Sequence, residues 1–378
     1  MDQMAHVPQV SPPTEVSFSG DRGEFRRLVT RGALLELVTL GFYRFWLATD
    51  MRRHLWSHTS VDGDSAEYTG TGKELLIGFL FALAIIVPIY LVYFVLSLEA
   101  ERLAAFASFP LLAFFYVFGQ FAIFRARRYR LTRTVWRGVR FWMSGSGWAY
   151  AGRATLWALL MGLTLGLVLP WREAALERYK MGHSYYGNLR GSFEGRGGAF
   201  FKQGWWLWLL TPIALVVFPL LPFVYAAFKA IELRWWLSGI RFGNVRFESS
   251  LPKGALIGLY WKVIGWSFLL TLVFGLYIGL WSVLGSSVTG GMKPEQLFAS
   301  ANLMQAIPML ILFVLGYLGF ILAVGVVVRV YLMHDFWAVV ASSIVMHNID
   351  AAANVTAEGQ LASALGEGLA DGLDVGGF

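Results

Sequence analysis

The sequence predicts an all-α polytopic integral membrane protein, in which duplicated helical modules are joined by short interfacial hairpin or loop segments. Three observations support this fold class. Hydrophobic residues make up 57% of the 378 residues and charged residues only 15%, whereas soluble domains carry about 25% charged residues. The mean hydropathy is +0.57. Several charge-free runs also reach the roughly 20 apolar residues that a helix needs to cross a bilayer core.

The charge-free runs define the predicted helices. They lie at 75–98, 103–124, 203–228, 263–292 and 296–328, and a shorter run lies at 154–171. Backbone in lipid must satisfy its own hydrogen bonds, so each run is expected to be helical. We expect six to eight helices in all, with 203–228 forming a single span despite its prolines.

An internal repeat organises the chain. The segment TLGFYRFW at 39–46 recurs as TLGLVLPW at 164–171, and the same offset of 125 residues aligns Arg53 with Arg178 and His58 with His183. A weaker copy begins near 128. The segments that follow, TSVDGDSAEYTG and SYYGNLRGSFEG, contain turn glycines and short alternation, which indicates a small hairpin or an extended loop.

The repeat and the composition divide the chain into five parts. These are a polar N-terminal tail (1–17), a first repeat unit of the membrane domain (18–153), a second repeat unit (154–253), C-terminal membrane helices forming a third, partial unit (254–349), and an acidic C-terminal tail (350–378).

The segment YTGTGKELL at 68–76 resembles a phosphate-binding loop at first sight. A P-loop requires G-x-x-x-x-G-K-[S/T], whereas here Gly70 and Gly72 are two residues apart and Glu74 follows Lys73. The copy at 193–201, FEGRGGAFF, keeps the aromatic residue and the glycines but has no lysine at that position. The pattern therefore predicts a turn that leads into a membrane helix.

The candidate functional residues are three Arg-x4-His pairs and one carboxylate. The residues are Arg53, His58, Arg178, His183, Arg329, His334 and Glu36. A recurring headgroup, anion or proton site is one interpretation, because histidine titrates near neutral pH. The alternative is structural: arginine reaches toward the interface, and histidine caps a helix C-terminus. Glu36 is a candidate because charges within apolar segments are often functional.

The basic segment 125–153 orients the predicted helices. It contains eight arginines and no acidic residue. Between two membrane segments, such a stretch is typical of a cytoplasmic loop beside anionic lipid headgroups and not of a nucleic-acid site. If 154–171 spans the membrane, the two repeat units are inverted; if it is re-entrant or interfacial, both units face the cytoplasm. The sequence leaves both arrangements open.

No catalytic or cofactor site is predicted. The chain has no cysteine, which excludes disulfides and thiolate metal sites. We find no G-x-S-x-G, no H-E-x-x-H and no paired carboxylates in a supporting context. We therefore predict neither an enzyme nor a metal or cofactor protein.

The chain resembles the YjgN family of bacterial inner-membrane proteins, a domain of unknown function. The resemblance rests on FSGDRGEF (18–25), TLGFYRFW (39–46), TLGLVLPW (164–171) and the acidic tail SALGEGLADGLDV (363–375). It covers nearly the whole chain and weakens over 285–334, where 285–303 looks like a lengthened connection. The resemblance implies a multi-span protein of the bacterial inner membrane and supplies no activity.

Two functions remain as expectations. The first is transport or permeation of an unidentified small solute, which the duplication and the proline-broken run at 203–232 favour. The second is a lipid-headgroup-binding or scaffold role at the cytoplasmic interface, which the Arg-His modules and the Trp- and Arg-rich borders favour. Anionic lipid is the expected partner, and the sequence leaves the oligomeric state open.

Overall fold

The computed structural model describes residues 12–99, 104–289, 303–363, 368 and 370. Its centre is a closed antiparallel barrel of ten short strands. The prediction of an all-α polytopic protein is therefore wrong. The polar segments expected to be separate interfacial hairpins are neighbouring strands of one sheet that closes on itself.

The strands are three to five residues long. They are β1 (Thr14–Phe18), β2 (Thr59–Val61), β3 (Asp64–Tyr68), β4 (Thr134–Trp136), β5 (Val139–Met143), β6 (Ser184–Tyr186), β7 (Leu189–Phe193), β8 (Ile240–Phe242), β9 (Val245–Ser249) and β10 (Ile344–His347). The first and last strands pair, Thr14 with Met346 and Glu15 with Val345, so the two ends of the described chain close the barrel.

Helices fill every second connection. They are α1 (Arg22–Val38), α2 (Arg44–Ser57), α3 (Gly72–Glu99), α4 (Ala104–Thr132), α5 (Gly147–Leu163), α6 (Leu169–Gly182), α7 (Gly197–Val216), α8 (Leu221–Gly239), α9 (Ile257–Thr289), α10 (Leu303–Arg329) and α11 (Phe336–Ala341). A π-helical segment, Val330–Asp335, joins α10 to α11.

The order of the connections places all the helices at one end of the barrel. Tight hairpins join β2 to β3, β4 to β5, β6 to β7 and β8 to β9, and each helical pair joins two neighbouring antiparallel strands. Since alternate strands of an antiparallel barrel run in the same direction, every hairpin turn lies at one end and every helical pair leaves from the other. The segments 49–74 and 172–202 therefore meet the same end of the barrel.

A recurring backbone hydrogen bond links two neighbouring strands at each joint, the point where a helical pair leaves the barrel. The residue that follows an outgoing strand donates its N–H to the carbonyl of the residue that precedes the next incoming strand. The five donors are Ser19, Thr69, Ser144, Glu194 and Ser250, and their acceptors in the same order are His58, Arg133, His183, Gly239 and Ser343, at 2.8–3.0 Å. Each of these bonds adds one further pair of residues to the sheet at the point where the chain leaves it.

Large apolar side chains fill the barrel. The buried cluster comprises Val16, Trp136, Tyr186, Val245, Ala341, Met346, Ile349 and Ala352. After β10 the chain turns through Asn348 in a left-handed conformation, with a φ of 57°, and the short helix Ile349–Ala352 adds two of its side chains to this cluster. The C-terminal segment thus covers the hairpin end of the barrel.

In the described part of the chain, four helices are long and apolar enough to cross a membrane, fewer than the six to eight that the sequence predicts. The apolar stretches are Gly72–Val95, Phe109–Thr132, Ile257–Leu284 and Leu310–Ala341. The expectation of one span over 203–228 is wrong: the helical chain breaks between α7 and α8, at Val217 and a short 3-10 segment containing Pro219. The three other helical pairs are shorter, and their tips expose large apolar side chains such as Leu40, Leu165 and Val216.

Several predicted features lie outside the described residues. These are residues 1–11 of the polar tail, most of the turn at 99–102, most of the connection at 285–303, and much of the acidic tail. Of that tail, residues up to 363 are described, together with Gly368 and Ala370. Ala370 packs against Ala82, Phe118, Ala122 and Ala126 of α3 and α4.

Candidate functional site

His58 and His183 occupy equivalent positions at the joints between helix and strand. Each is the C-cap residue of its helix, α2 or α6. In each, Nδ1 lies 2.7 Å from the carbonyl oxygen four residues earlier, that of His54 or Tyr179. Each also accepts the recurring backbone bond of its joint. Both histidines therefore lie between the end of a helix and the start of a strand.

Arg53, five residues before His58, faces a glycine turn, as does Arg128, five residues before Arg133. Nη2 of Arg53 donates to the carbonyl of Gly70 at 2.7 Å, and Nη2 of Arg128 donates to that of Gly145 at 2.5 Å. Arg178 lines a cleft together with Gly195. The G-x-G segments are thus turns between an outgoing strand and a helix. Thr71 and Glu74 cap the start of α3 reciprocally, at 3.3 and 3.4 Å, as in a capping box.

Glu36 and Arg329 form an ion pair at 2.9 Å that connects α1 to α10. This pair lies where the last helical pair meets the first. His334, by contrast, is not equivalent to His58 and His183, because the residue that precedes β10 is Ser343. The Nε2 of His334 lies 3.2 Å from the carbonyl of Gly20, so this histidine contacts a turn carbonyl as Arg53 and Arg128 do elsewhere.

A cluster of Glu24, His54 and His58 lies at the start of α1 and the end of α2. One nitrogen of each histidine and one carboxylate oxygen lie within 4.8 Å of one another. The two imidazole rings are 4.3 Å apart. His54 is 7% exposed, and its Nε2 is buried without a hydrogen-bond partner in the described part of the chain. His54 is not among the residues predicted from the sequence, although the spacing His54-x3-His58 places the two histidines on one face of a helix.

A second group of charged side chains is buried between α4 and α6. Arg127 of α4 donates to both carboxylate oxygens of Glu177 at 3.0 and 3.1 Å, and Lys180 pairs with the same carboxylate. Despite the desolvation that opposes ionisation, these two cations lower the pKa of Glu177 to about 2. Glu177 is therefore an ionised, paired carboxylate in the core, a role that its sequence context did not indicate.

A cleft of about 490 Å³ lies where α1, α9 and α10 approach the barrel. Arg22, Gly23, Arg26, Trp266, Val326, Val327, Val330 and Tyr331 line it. Two arginines of α1, one helical turn apart, thus flank an apolar groove formed by two helices that are candidate membrane spans. The guanidinium of Arg22 lies 4.5 Å from the ring centroid of Tyr331 and 3.0 Å from Asp335. Nε1 of Trp266 donates to the hydroxyl of Tyr331 at 3.0 Å.

Comparison with known proteins identifies one family. A family model described as "Bacterial protein of unknown function (DUF898)" matches residues 13–232, from β1 into α8. Comparisons with curated proteins and with solved structures return no match. The family match covers more than half of the chain and confirms the resemblance to YjgN-like bacterial proteins. The chain therefore belongs to the DUF898 family of bacterial proteins of unknown function.

Proposed function

We propose that this protein is a multi-pass protein of the bacterial inner membrane that binds anionic phospholipid headgroups where its helices meet the barrel. Among the residues that the structure describes, four helices are long and apolar enough to span a bilayer. The shorter pairs would enter the bilayer from the same side without crossing it. The barrel, which bears part of the arginine-rich segment 125–153, would then lie on the cytoplasmic face.

The observation that carries this proposal is the cleft at Arg22 and Arg26. Two guanidinium groups beside an apolar groove suit a phospholipid, because arginine binds phosphate oxygens in a bidentate manner and the groove of Val326, Val327 and Val330 suits an acyl chain. Trp266 and Tyr331 suit the headgroup level, where amphipathic rings are favoured. Basic clusters next to a membrane helix are typical of anionic lipid sites.

The packing of the barrel favours this role over transport. A solute path through the barrel would need an open interior. The interior is instead filled by side chains, among them those of Trp136, Tyr186 and Met346. Ile349 and Ala352 close its hairpin end. The helical pairs also leave from one end of the barrel, which does not fit the inverted repeats of many transporters.

The test compares two doubly substituted proteins with equal loss of charge. R22Q/R26Q removes the cleft arginines, and the control R190Q/R246Q removes two exposed arginines of strands β7 and β9. The full chain is purified in detergent, and binding of a fluorescent phosphatidylglycerol is titrated against phosphatidylcholine. We expect R22Q/R26Q to lose at least about tenfold in affinity for the anionic lipid, because each charge-assisted bond contributes about 1.5–3 kcal/mol. The control should lose less than about threefold. Equal losses in both proteins would reject the cleft as the lipid site.

The membrane orientation gives a separate prediction. The chain has no native cysteine, so single cysteines report accessibility directly. Ser65→Cys and Asn244→Cys lie at exposed positions near the hairpin end of the barrel. Both should react with a membrane-impermeant maleimide only in inside-out vesicles, whereas Leu163→Cys at the tip of α5 should resist labelling from either side. Labelling of Ser65→Cys and Asn244→Cys from opposite sides would contradict the orientation.

A further inference from the structure

We propose that Glu24, His54 and His58 bind one divalent transition-metal ion, such as Zn²⁺, with a solvent molecule in the remaining position. This site is distinct from the lipid cleft and rests on different residues. The ligand set of two imidazoles and one carboxylate is one that zinc uses in sites that keep an open coordination position. Imidazole also suits Co²⁺ and Ni²⁺.

The geometry of α2 brings the two histidines together. Residues four apart lie on one face of a helix, and a pair of histidines at this spacing is a known zinc-binding arrangement. The three donor atoms are within 4.8 Å of one another. Ligands of a tetrahedral zinc ion, with bonds of about 2.1 Å, are about 3.4 Å apart. Rotation of the exposed Glu24 side chain and small shifts of the rings would bring the donors to this separation.

The hydrogen bond of His58 leaves the correct nitrogen free. Its Nδ1 lies 2.7 Å from the carbonyl oxygen of His54, so Nδ1 carries a proton, and in the neutral imidazole the lone pair is then on Nε2. A backbone carbonyl is one of the common partners of the non-ligating nitrogen in metal-bound histidine. His58 is therefore oriented as a ligand before any ion arrives.

His54 provides the independent observation. Its Nε2 is buried without a partner within the described residues, and a buried unpaired polar atom costs about 1–3 kcal/mol. A metal ion would satisfy this atom.

The second helical pair shows that the fold does not require this cluster. At the offset of 125 residues, Tyr179 replaces His54 and Ala149 replaces Glu24, while His183 keeps the capping position of His58. The Tyr179 hydroxyl lies 2.9 Å from the carbonyl oxygen of Ser146. One joint therefore carries three possible ligands, and its counterpart carries one histidine and a hydrogen-bonded tyrosine.

The experiment titrates Co²⁺ and Zn²⁺ into the full chain in detergent, purified without a polyhistidine tag and freed of metal with a chelator. Calorimetry gives the affinity and the stoichiometry, and the visible absorption of Co²⁺ reports its coordination. We expect one ion per chain. His54→Gln and Glu24→Gln should each weaken binding by at least tenfold and change the Co²⁺ spectrum. His183→Gln is the matched control, since it removes a capping histidine from the joint that lacks the other ligands, and it should bind as the unaltered protein does.

Glu24→Gln keeps the test decisive if a histidine variant fails to fold, because Glu24 is exposed. Far-UV circular dichroism verifies the fold of each variant. Absence of one-to-one binding in the unaltered protein would overturn the proposal. Unchanged affinity in folded Glu24→Gln and His54→Gln would also overturn it.

Discussion

Glu177→Gln should lower the free energy of unfolding by about 3–5 kcal/mol, the range found when one partner of a buried ion pair is removed. The Glu177 side chain is 8% exposed, and those of Arg127 and Lys180 are 19% and 13% exposed. The neutral amide removes the carboxylate with which both cations pair. Since α4 and α6 supply the two sides of this pair, their packing should weaken.

The control for this prediction is the same substitution in an exposed pair. Glu194→Gln removes the partner of Arg241, and the Glu194 side chain is 65% exposed. An exposed ion pair contributes about 0–1 kcal/mol, so this variant should stay within about 1 kcal/mol of the unaltered protein. Urea unfolding of the full chain in detergent, followed by circular dichroism, compares the two. A Glu177→Gln protein as stable as Glu194→Gln would show that the buried pair contributes little.

The pH dependence of stability follows from the same carboxylate. The pKa of Glu177 is lowered from 4.5 to about 2 in the folded protein. A lowered pKa contributes stability that is fully present above pH 4.5 and is lost as the pH falls toward 2. The unaltered protein should therefore lose stability over this window more steeply than Glu177→Gln, which lacks the titrating group. Parallel curves for the two proteins would contradict the assignment of the shifted pKa to Glu177.

The sequence predicts the long helices well and the barrel poorly, for a physical reason. Helices α3 and α10 are continuous apolar runs whose length alone indicates a span. The strands are three to five residues long, too short for alternation to stand out. Closure of the barrel depends on pairing between Thr14–Phe18 and Ile344–His347, a contact across most of the chain that no local pattern reports.

The Arg-x4-His spacing marks equivalent positions in two of its three occurrences. His58 and His183, each five residues after an arginine, both end a helix and accept the backbone bond from the residue that follows an outgoing strand. The third pair, Arg329 and His334, shares the spacing but lies in a different structural context.

Two residues were missed because their environment comes from other elements. Glu177 lies in the segment REAALERYK, which resembles the solvated face of a helix. In the structure Glu177 is buried and pairs with Arg127, which belongs to a helix far away in the sequence. His54 becomes a candidate ligand only when Glu24 of α1 is placed beside it. Both cases depend on tertiary contacts between elements that are far apart in the sequence.

Trp136→Ala should destabilise the protein by about 3–5 kcal/mol, since removal of a large buried aromatic side chain costs the lost burial and leaves a cavity. Trp136 is 8% exposed, and its ring lies 5.6 Å from that of Tyr186. Its backbone carbonyl accepts the Tyr186 hydroxyl at 2.9 Å, and its Nε1 donates to the carbonyl of Asp64 at 3.3 Å. The variant therefore removes packing at the hairpin end of the barrel and a bond between two hairpins.

Trp205→Ala is the control, because this tryptophan of α7 is 51% exposed and should cost less than about 1 kcal/mol. Urea unfolding measures both variants, and amide hydrogen exchange locates the change. Faster exchange in Trp136→Ala should concentrate in β3 to β6, whose strands surround the lost ring. If the two tryptophan variants unfold at the same urea concentration, the barrel interior is not the close-packed core that closes this end of the molecule. In that case, the packing of the barrel would no longer exclude a solute path through it.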